Sequence, residues 1–209
     1  MNILSTPIKF DDIEVKKQMI ATRYRFEQEL TAMQGIKNCI DKNLAVELYA
    51  GTGGLTNIYK DSFKTVLTND LNKDSSAQYH LTAMNFIKTI LLELAQKIDL
   101  VDFDCYGCPA FEISEFFKIR GNFDAPFVLR FSDGLGLWMK RNKKQEVVKK
   151  RYLIQGNLDM NKIWLRHPVL IDTFLKKIAE QYGMKAERII SVQTKFKNYV
   201  LGVYKFENI

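Results

Sequence analysis

Apolar residues at Ile13, Met19, Ile20, Phe26, Leu30, Met33 and Ile36 recur at spacings near three and four, which predicts a helix over residues 11–40 that Gly35 interrupts or caps. The pattern then shortens. Residues 44–50, with Val46, Leu48 and Tyr49, form an apolar run that stops at Gly51, as a buried strand feeding a glycine turn would, and residues 55–60 start a short helix. Residues 64–68 read as a second strand ending at Asn69 and Asp70. Residues 74–83 are ambiguous and could hold a short helix and a short strand. The stripe Met84, Ile87, Leu91, Leu94 and Ile98 predicts a helix over 84–97. Residues 98–103 then read as a strand, the fourth if 74–83 contains one. Residues 111–119 read as a helix and 125–131 as the next strand, closed by Ser132, Asp133 and Gly134. Leu170, Ile171, Phe174, Leu175 and Ile178 place one apolar face on a helix over 168–182 that Gly183 caps. Residues 187–193 and 199–206 are β-rich and joined by 194–198 as a hairpin. Alternating strands and helices imply an α/β fold, a mostly parallel sheet with helices on both faces, and the closing hairpin adds an antiparallel strand.

Composition fits one such domain. The chain has 209 residues, 46% hydrophobic and 26% charged, the balance of a globular protein. No window approaches the roughly 18 uninterrupted apolar residues of a membrane span, and residues 1–10 do not read as a signal peptide. Three cysteines exclude a disulfide framework. A single domain over 1–209 in the cytoplasm, with no membrane and no obligate protein partner, is the expectation, residues 1–40 forming a helical N-terminal extension. Charge is uneven: residues 1–104 carry 12 basic and 14 acidic side chains, residues 105–209 carry 19 and 10. A second half with net +9 points to a polyanionic partner.

The sharpest motif is ELYAGTGG, Glu47 to Gly54. Glycines there let the backbone turn tightly and approach a ligand closely. It is not the dinucleotide pattern G-x-G-x-x-G, whose third glycine would fall at Thr56, nor a P-loop, which needs a lysine where Leu55 stands. What remains is an acid four residues before a glycine turn and a second acid, Asp70, closing the next strand. In an open parallel sheet ligands bind outside the carboxyl ends of the strands. Asp70 is therefore placed to hold a ribose diol, and Leu71 to cover one face of a purine.

These residues resemble the S-adenosylmethionine site of class I methyltransferases, in the form D-L/P-F/Y-x-G-T/S-G common among enzymes that act on nucleic acids, with Glu47 where Asp is usual. The resemblance implies a Rossmann-like sheet and S-adenosyl-L-methionine as cofactor. It assigns Glu47, Tyr49, Gly51, Thr52, Gly53, Gly54, Asp70 and Leu71 to binding it.

A second motif, DFDCYGCPA (Asp102 to Ala110), follows the strand over 98–103. Amine-methylating members of the fold carry D/N/S-P-P-F/Y/W in this loop. An aromatic amine is a poor nucleophile because its lone pair is delocalised into the ring. A carboxylate accepting the amine hydrogens favours the rehybridised nitrogen as the new bond forms, and an aromatic ring holds the base by stacking. The aromatic residue here is two positions after Asp104, not three, so the loop is closer to the D-x-D-P-F-G-S/T-P-A of tRNA guanine-N2 dimethyltransferases. Asp102, Asp104, Gly107, Pro109 and Ala110 match; Tyr106 replaces Phe, Cys105 replaces Pro and Cys108 replaces Ser or Thr. LRFSDG (Leu129 to Gly134) is similar to that family's strand ending in T-x-T-D, and Met19 to Arg23 to an early M-x-x-N-R, although Arg23 also suits a surface helix. The resemblance makes Asp104 the amine acceptor and Tyr106 the stacking ring. The family's large C-terminal domain is not expected in a sequence that ends at Ile209.

Half of the fourteen residues 138–151 are Lys or Arg, flanked by Trp138 and Tyr152. Methyltransferases commonly place substrate-recognition insertions after this strand, so 136–167 reads as one, with Lys140, Arg141, Lys143 and Lys144 on phosphates. A solvated helix with Val147 and Val148 inward is the alternative. Cys105 and Cys108 form a C-x-x-C pair that lacks two further zinc ligands nearby, so no metal is expected and two thiols filling tight loop positions suffice. His80 and His167 have no carboxylate or cysteine at triad spacing. The expectation is a methyltransferase acting on an exocyclic amine of a nucleic acid base, RNA favoured over DNA. The alternatives are a DNA adenine-N6 or cytosine-N4 methyltransferase, a small-molecule methyltransferase, and a nucleic-acid-binding protein with the fold but no transfer activity.

Overall fold

Leu44 to Glu47 are buried at every position, the signature of a strand covered on both faces. In the computed structural model this strand, β1 (Leu44–Glu47), is an inner strand of a six-stranded sheet. The structure describes residues 13–105, 107–121, 125–134, 145–159, 163–193 and 199–209, and for 13–25, 163 and 164 the backbone alone. Helix α1 (Ile13–Asn38) precedes β1. After it come α2 (Gly54–Lys60), β2 (Thr65–Thr68), α3 (Ala83–Thr89), β3 (Leu100–Asp104), α4 (Ala110–Arg120) and β4 (Phe127–Asp133). The chain closes with α5 (Gln145–Tyr152), α6 (His167–Gln181), β5 (Met184–Gln193) and β6 (Val200–Asn208).

The strand order is β2-β1-β3-β4-β6-β5. β1 to β4 pair in parallel and β6 runs antiparallel between β4 and β5. This is the expected mixed sheet with its closing hairpin. The chain leaves β1 toward β2 and returns on the other side as β3, so the strand order reverses at β1, where open α/β sheets bind ligands.

Period-two alternation splits the strands between two cores. Val46, Leu48, Val101, Phe103, Leu129 and Phe131 pack with Phe86, Ile113, Phe117 and Phe174 on one face, whereas Ala45, Leu100, Val128 and Val203 meet Ala32, Ile36, Leu55, Tyr59 and Phe63 on the other.

Several predicted elements change. Gly35 neither breaks nor caps α1. It is buried within the helix, where an added Cβ would lie 3.2 Å from Leu100 and 3.7 Å from Val128, so its lack of a side chain lets the helix approach the sheet. Ala32, Gly35 and Ile36 make that approach, and Phe26, Leu30 and Met33, expected on the buried stripe, stay exposed. The helix predicted over 84–97 ends at Thr89, and turns follow to a 3-10 turn at Ala95–Lys97. Thr89 Oγ1 turns back onto the Asn85 carbonyl. Downstream, the buried Arg120 guanidinium donates to the carbonyls of Ala95, Ile98 and Ala125, tying the turn before β3 to the chain that enters β4. The segment over 74–83 supplies only an isolated parallel bridge, Asn69 to Tyr79, so the strand before the second motif is the third regular one. β4 includes Ser132 and Asp133, where the strand was expected to close, because they pair with Leu201 and Val200. Gly183 closes α6 at φ 68°, as predicted.

Candidate active site

The carboxyl ends of β1, β2 and β3 open into a cleft of about 470 Å³, within the range of small-molecule sites. Its floor is the glycine turn. Gly51 and Gly53 take φ of 53° and 80°, a left-handed conformation that a side chain would strain. Gly53 N–H donates to Ala50 O at 2.8 Å, and α2 begins at Gly54. A Cβ at Gly53 would lie 2.7 Å from Ser76 Oγ, so the turn is also closely covered.

Asp70 ties the turn to β2. Its Oδ2 accepts the Gly51 N–H at 2.8 Å and its Oδ1 accepts the Asn72 N–H at 2.8 Å. The adjacent Asn69 is buried. Its side chain donates to the carbonyls of Leu48 and Leu81 and accepts from Leu81 N–H, so it fixes the spacing between the two strand ends. Glu47 sits beneath the turn, 1% exposed, and accepts from Thr56 Oγ1 on α2 at 2.5 Å. Burial, reinforced by the Asp102 carboxylate, pushes its pKa up to about 8, so Glu47 carries a proton at neutral pH.

The second motif closes the other wall. Asp104, at the end of β3, lines the cleft. Its Oδ1 accepts from Ser132 Oγ at 2.6 Å, its Oδ2 lies 3.5 Å from Arg130 Nη1, and Gln28 Nε2 on α1 donates to both oxygens. Asp102, one pleat back, is fully buried between Arg130 Nη1 at 2.6 Å and Tyr59 Oη at 2.6 Å. Burial raises Asp102 to about 6 despite the arginine. Burial also works against the Arg130 charge, but Asp102 and Asp104 outweigh it and hold its pKa above the ordinary value. The buried pair is therefore ionised at neutral pH and forms a rigid footing for Asp104.

Among the described residues the lining is one-signed. Glu29, Glu47, Asp70 and Asp104 contribute carboxyl groups, and the remaining lining residues are neutral. Such a wall repels phosphates and suits a cation that also carries hydroxyl groups. S-adenosylmethionine, with its sulfonium, ammonium and ribose diol, has that chemistry, and the open glycine turn leaves room beside it. Glu47, Tyr49, Gly51, Thr52, Gly54 and Asp70 line the cleft as a group. Gly53 instead supports the turn from below, and Leu71 is 66% exposed outside the lining.

Tyr106, Lys140, Arg141, Lys143 and Lys144 lie outside the described residues. The described end of the basic segment is partly structural. Val148 is buried, Arg151 donates to the Cys108 carbonyl at 3.3 Å with its guanidinium 5.0 Å from the centre of the Phe111 ring, and Lys149 pairs with Glu146. The thiols of Cys105 and Cys108 point at different partners, the Ser132 carbonyl and Tyr152 Oη. Burial raises both above the ordinary thiol range, which leaves them unreactive.

Sequence spacing missed four residues. Gln28 and Glu29 reach the cleft from α1, with no local motif to mark them. Arg130 was visible only as a charge inside an apolar strand. His167, without a carboxylate at triad spacing, has its Nε2 3.2 Å from Asp133 Oδ1 and 2.8 Å from Tyr152 Oη, because α5 and α6 fold back onto the end of β4.

No model of a known protein family and no curated protein matches the sequence. Solved structures do match. Trm1 from Pyrococcus horikoshii, in complex with S-adenosyl-L-methionine, superposes with a TM-score of 0.62 at 13% identity over 89% of this chain. The chain spans 55% of that protein's length. The plantazolicin methyltransferase BamL, in complex with a triazolic desmethylPZN analog and SAH, superposes with a TM-score of 0.51 at 10% identity, covering 93% of this chain and 88% of BamL. The chain has the class I methyltransferase fold.

Proposed function

We propose that this chain, built on the class I methyltransferase fold, is an S-adenosylmethionine-dependent methyltransferase that acts on an exocyclic amine of a nucleic acid base, in RNA rather than DNA and in the manner of tRNA guanine-N2 methylation. The observation that carries the reading is the acid-lined cleft, in which a left-handed glycine turn is tied to Asp70 on one side and faces Asp104 on the other. The cofactor would supply an activated methyl group on a sulfonium. Asp70, with two oxygens already accepting backbone N–H groups, keeps lone pairs for a ribose diol. Glu47 holds α2 against the turn through Thr56. Gly51, Thr52 and Gly54 line the cleft floor, and at Gly51 a ligand can approach the backbone with no side chain in the way.

Asp104 is the proposed acceptor for the target amine. Ser132 and Arg130 hold its carboxylate from behind, so its position is set before substrate arrives. Tyr106 would stack on the base, which must be unpaired or flipped out of its helix. The net +9 of residues 105–209 supports a nucleic acid partner, with Lys140, Arg141, Lys143 and Lys144 as the phosphate contacts.

The test is incubation with methyl-labelled S-adenosylmethionine and total RNA or DNA, followed by identification of the labelled nucleoside. Wild type should label an amine-methylated base. Asp104→Ala should lose roughly 10²–10³ in turnover, the scale of one preorganised electrostatic contact, with cofactor affinity little changed. Transfer by Asp104→Ala at the wild-type rate would remove Asp104 from the chemistry.

A further inference from the structure

The proposed amine acceptor is already occupied on its cleft side. A carboxylate offers about four lone-pair sites, and Asp104 accepts three hydrogen bonds from two donors, with the Arg130 cation beside them. Ser132 Oγ donates to Oδ1 at 2.6 Å, Arg130 Nη1 lies 3.5 Å from Oδ2, and Gln28 Nε2 lies 2.9 Å from Oδ1 and 2.8 Å from Oδ2. An incoming amine that is to bridge both oxygens meets Gln28, whose amide nitrogen already does so. Ser132 and Arg130 are fully buried on β4, and neither can leave without disrupting the sheet. Gln28 is half-buried on α1 and lines the cleft. Among the described side chains of α1, the contacts with the sheet lie further along it, at Ala32, Gly35 and Ile36. A rotation of the Gln28 side chain therefore frees Asp104 without undocking the helix.

The donor itself is informative. The nitrogen of a primary amide is planar, bears two N–H donors and is bonded to a trigonal carbon. The amino groups of adenine, cytosine and guanine share those features. We propose that Gln28 is a built-in surrogate for the target group, its amide filling the amine subsite of Asp104 until a substrate amine displaces it. The proposal rests on the reading of Asp104 as the amine acceptor. It deepens that reading by giving the subsite a chemical class, an NH₂ group on a trigonal carbon. Groups that can only accept hydrogen bonds, such as a carboxylate, meet the Asp104 charge with no proton to offer and are refused.

The experiment titrates cytidine and guanosine, with uridine as the amine-free control, into protein saturated with S-adenosylhomocysteine, which blocks the cofactor's own nucleoside site. The variants are Gln28→Ala and Gln28→Met. The methionine keeps side-chain length and helix propensity but cannot donate. Both should bind at least one of the two amine-bearing nucleosides about ten-fold more tightly than wild type, the scale of one charge-assisted hydrogen bond no longer displaced. Uridine and S-adenosylhomocysteine affinities should stay put. Unchanged or weaker binding of both amine-bearing nucleosides by both variants would overturn the surrogate role. Asp104→Asn in the same titration separates the two claims. If it weakens cytidine or guanosine while the Gln28 variants gain nothing, the acceptor stands and the surrogate falls. If it leaves the preference over uridine untouched, Asp104 is not the acceptor and the surrogate falls with it.

Discussion

Arg130 Nη1 and Asp102 Oδ1 lie 2.6 Å apart with neither side chain exposed. Removing one member of a buried pair strands the other charge, at a cost of about 3–5 kcal/mol. Arg130→Met should lower the free energy of unfolding in urea by that amount. The double variant Arg130→Met with Asp102→Asn should recover part of it, because an amide there carries no charge and its oxygen still accepts from Tyr59 Oη. A double variant no more stable than the single one would contradict this.

Glu47 makes stability depend on pH. Its folded pKa of about 8 stands above the ordinary 4.5. Between those values the folded protein keeps a proton that the unfolded chain gives up. The stabilisation is complete below 4.5 and is lost as pH rises through about 8. Glu47→Gln accepts the same Thr56 hydrogen bond and does not titrate. Its melting temperature should therefore gain on wild type steadily as pH rises across this window. Parallel melting curves from acid to neutral pH would show that Glu47 is ionised in the fold.

Tyr152 Oη donates to Asp133 at 2.8 Å and lies 2.8 Å from His167 Nε2, all three groups buried. Tyr152→Phe keeps the ring against Phe174 but removes a shared partner. The expected cost is about 1–3 kcal/mol, the range for leaving buried polar groups short of a hydrogen bond. It should appear as a lower denaturant midpoint with cofactor affinity unchanged, since Tyr152 lies outside the cleft lining. A midpoint equal to wild type would show that the hydroxyl contributes nothing.

The site was legible in sequence wherever it is local. Glu47, the glycine turn and Asp70 lie within one strand-turn-helix-strand unit, so their spacing alone placed them at adjacent strand ends. Asp104 was marked by the resemblance of DFDCYGCPA to a methyltransferase loop. What spacing could not reach were partners joined only by tertiary packing. Gln28 is 76 residues from Asp104, and the Asp133–His167 contact joins residues on either side of α5. Local periodicity also misled where a tertiary partner overrode it. The stripe after Met84 suits a long helix, but the helix ends at Thr89, and Arg120 holds the Ala95 and Ile98 carbonyls in the turns that follow. The apolar positions of α1 suggested which face was buried, yet closeness to the sheet favoured the small residues Ala32 and Gly35.

The central claim is that the acid-lined cleft holds S-adenosylmethionine through Asp70. Calorimetric titration of the cofactor into wild type and Asp70→Ala tests it most directly. A carboxylate bridging a ribose diol makes charge-assisted hydrogen bonds worth about 1.5–3 kcal/mol, and Asp70 also holds the Gly51 N–H, so both effects act in one direction. Wild type should bind, and Asp70→Ala should bind roughly ten-fold more weakly or worse. No binding by wild type, or equal affinity in the variant, would contradict the account.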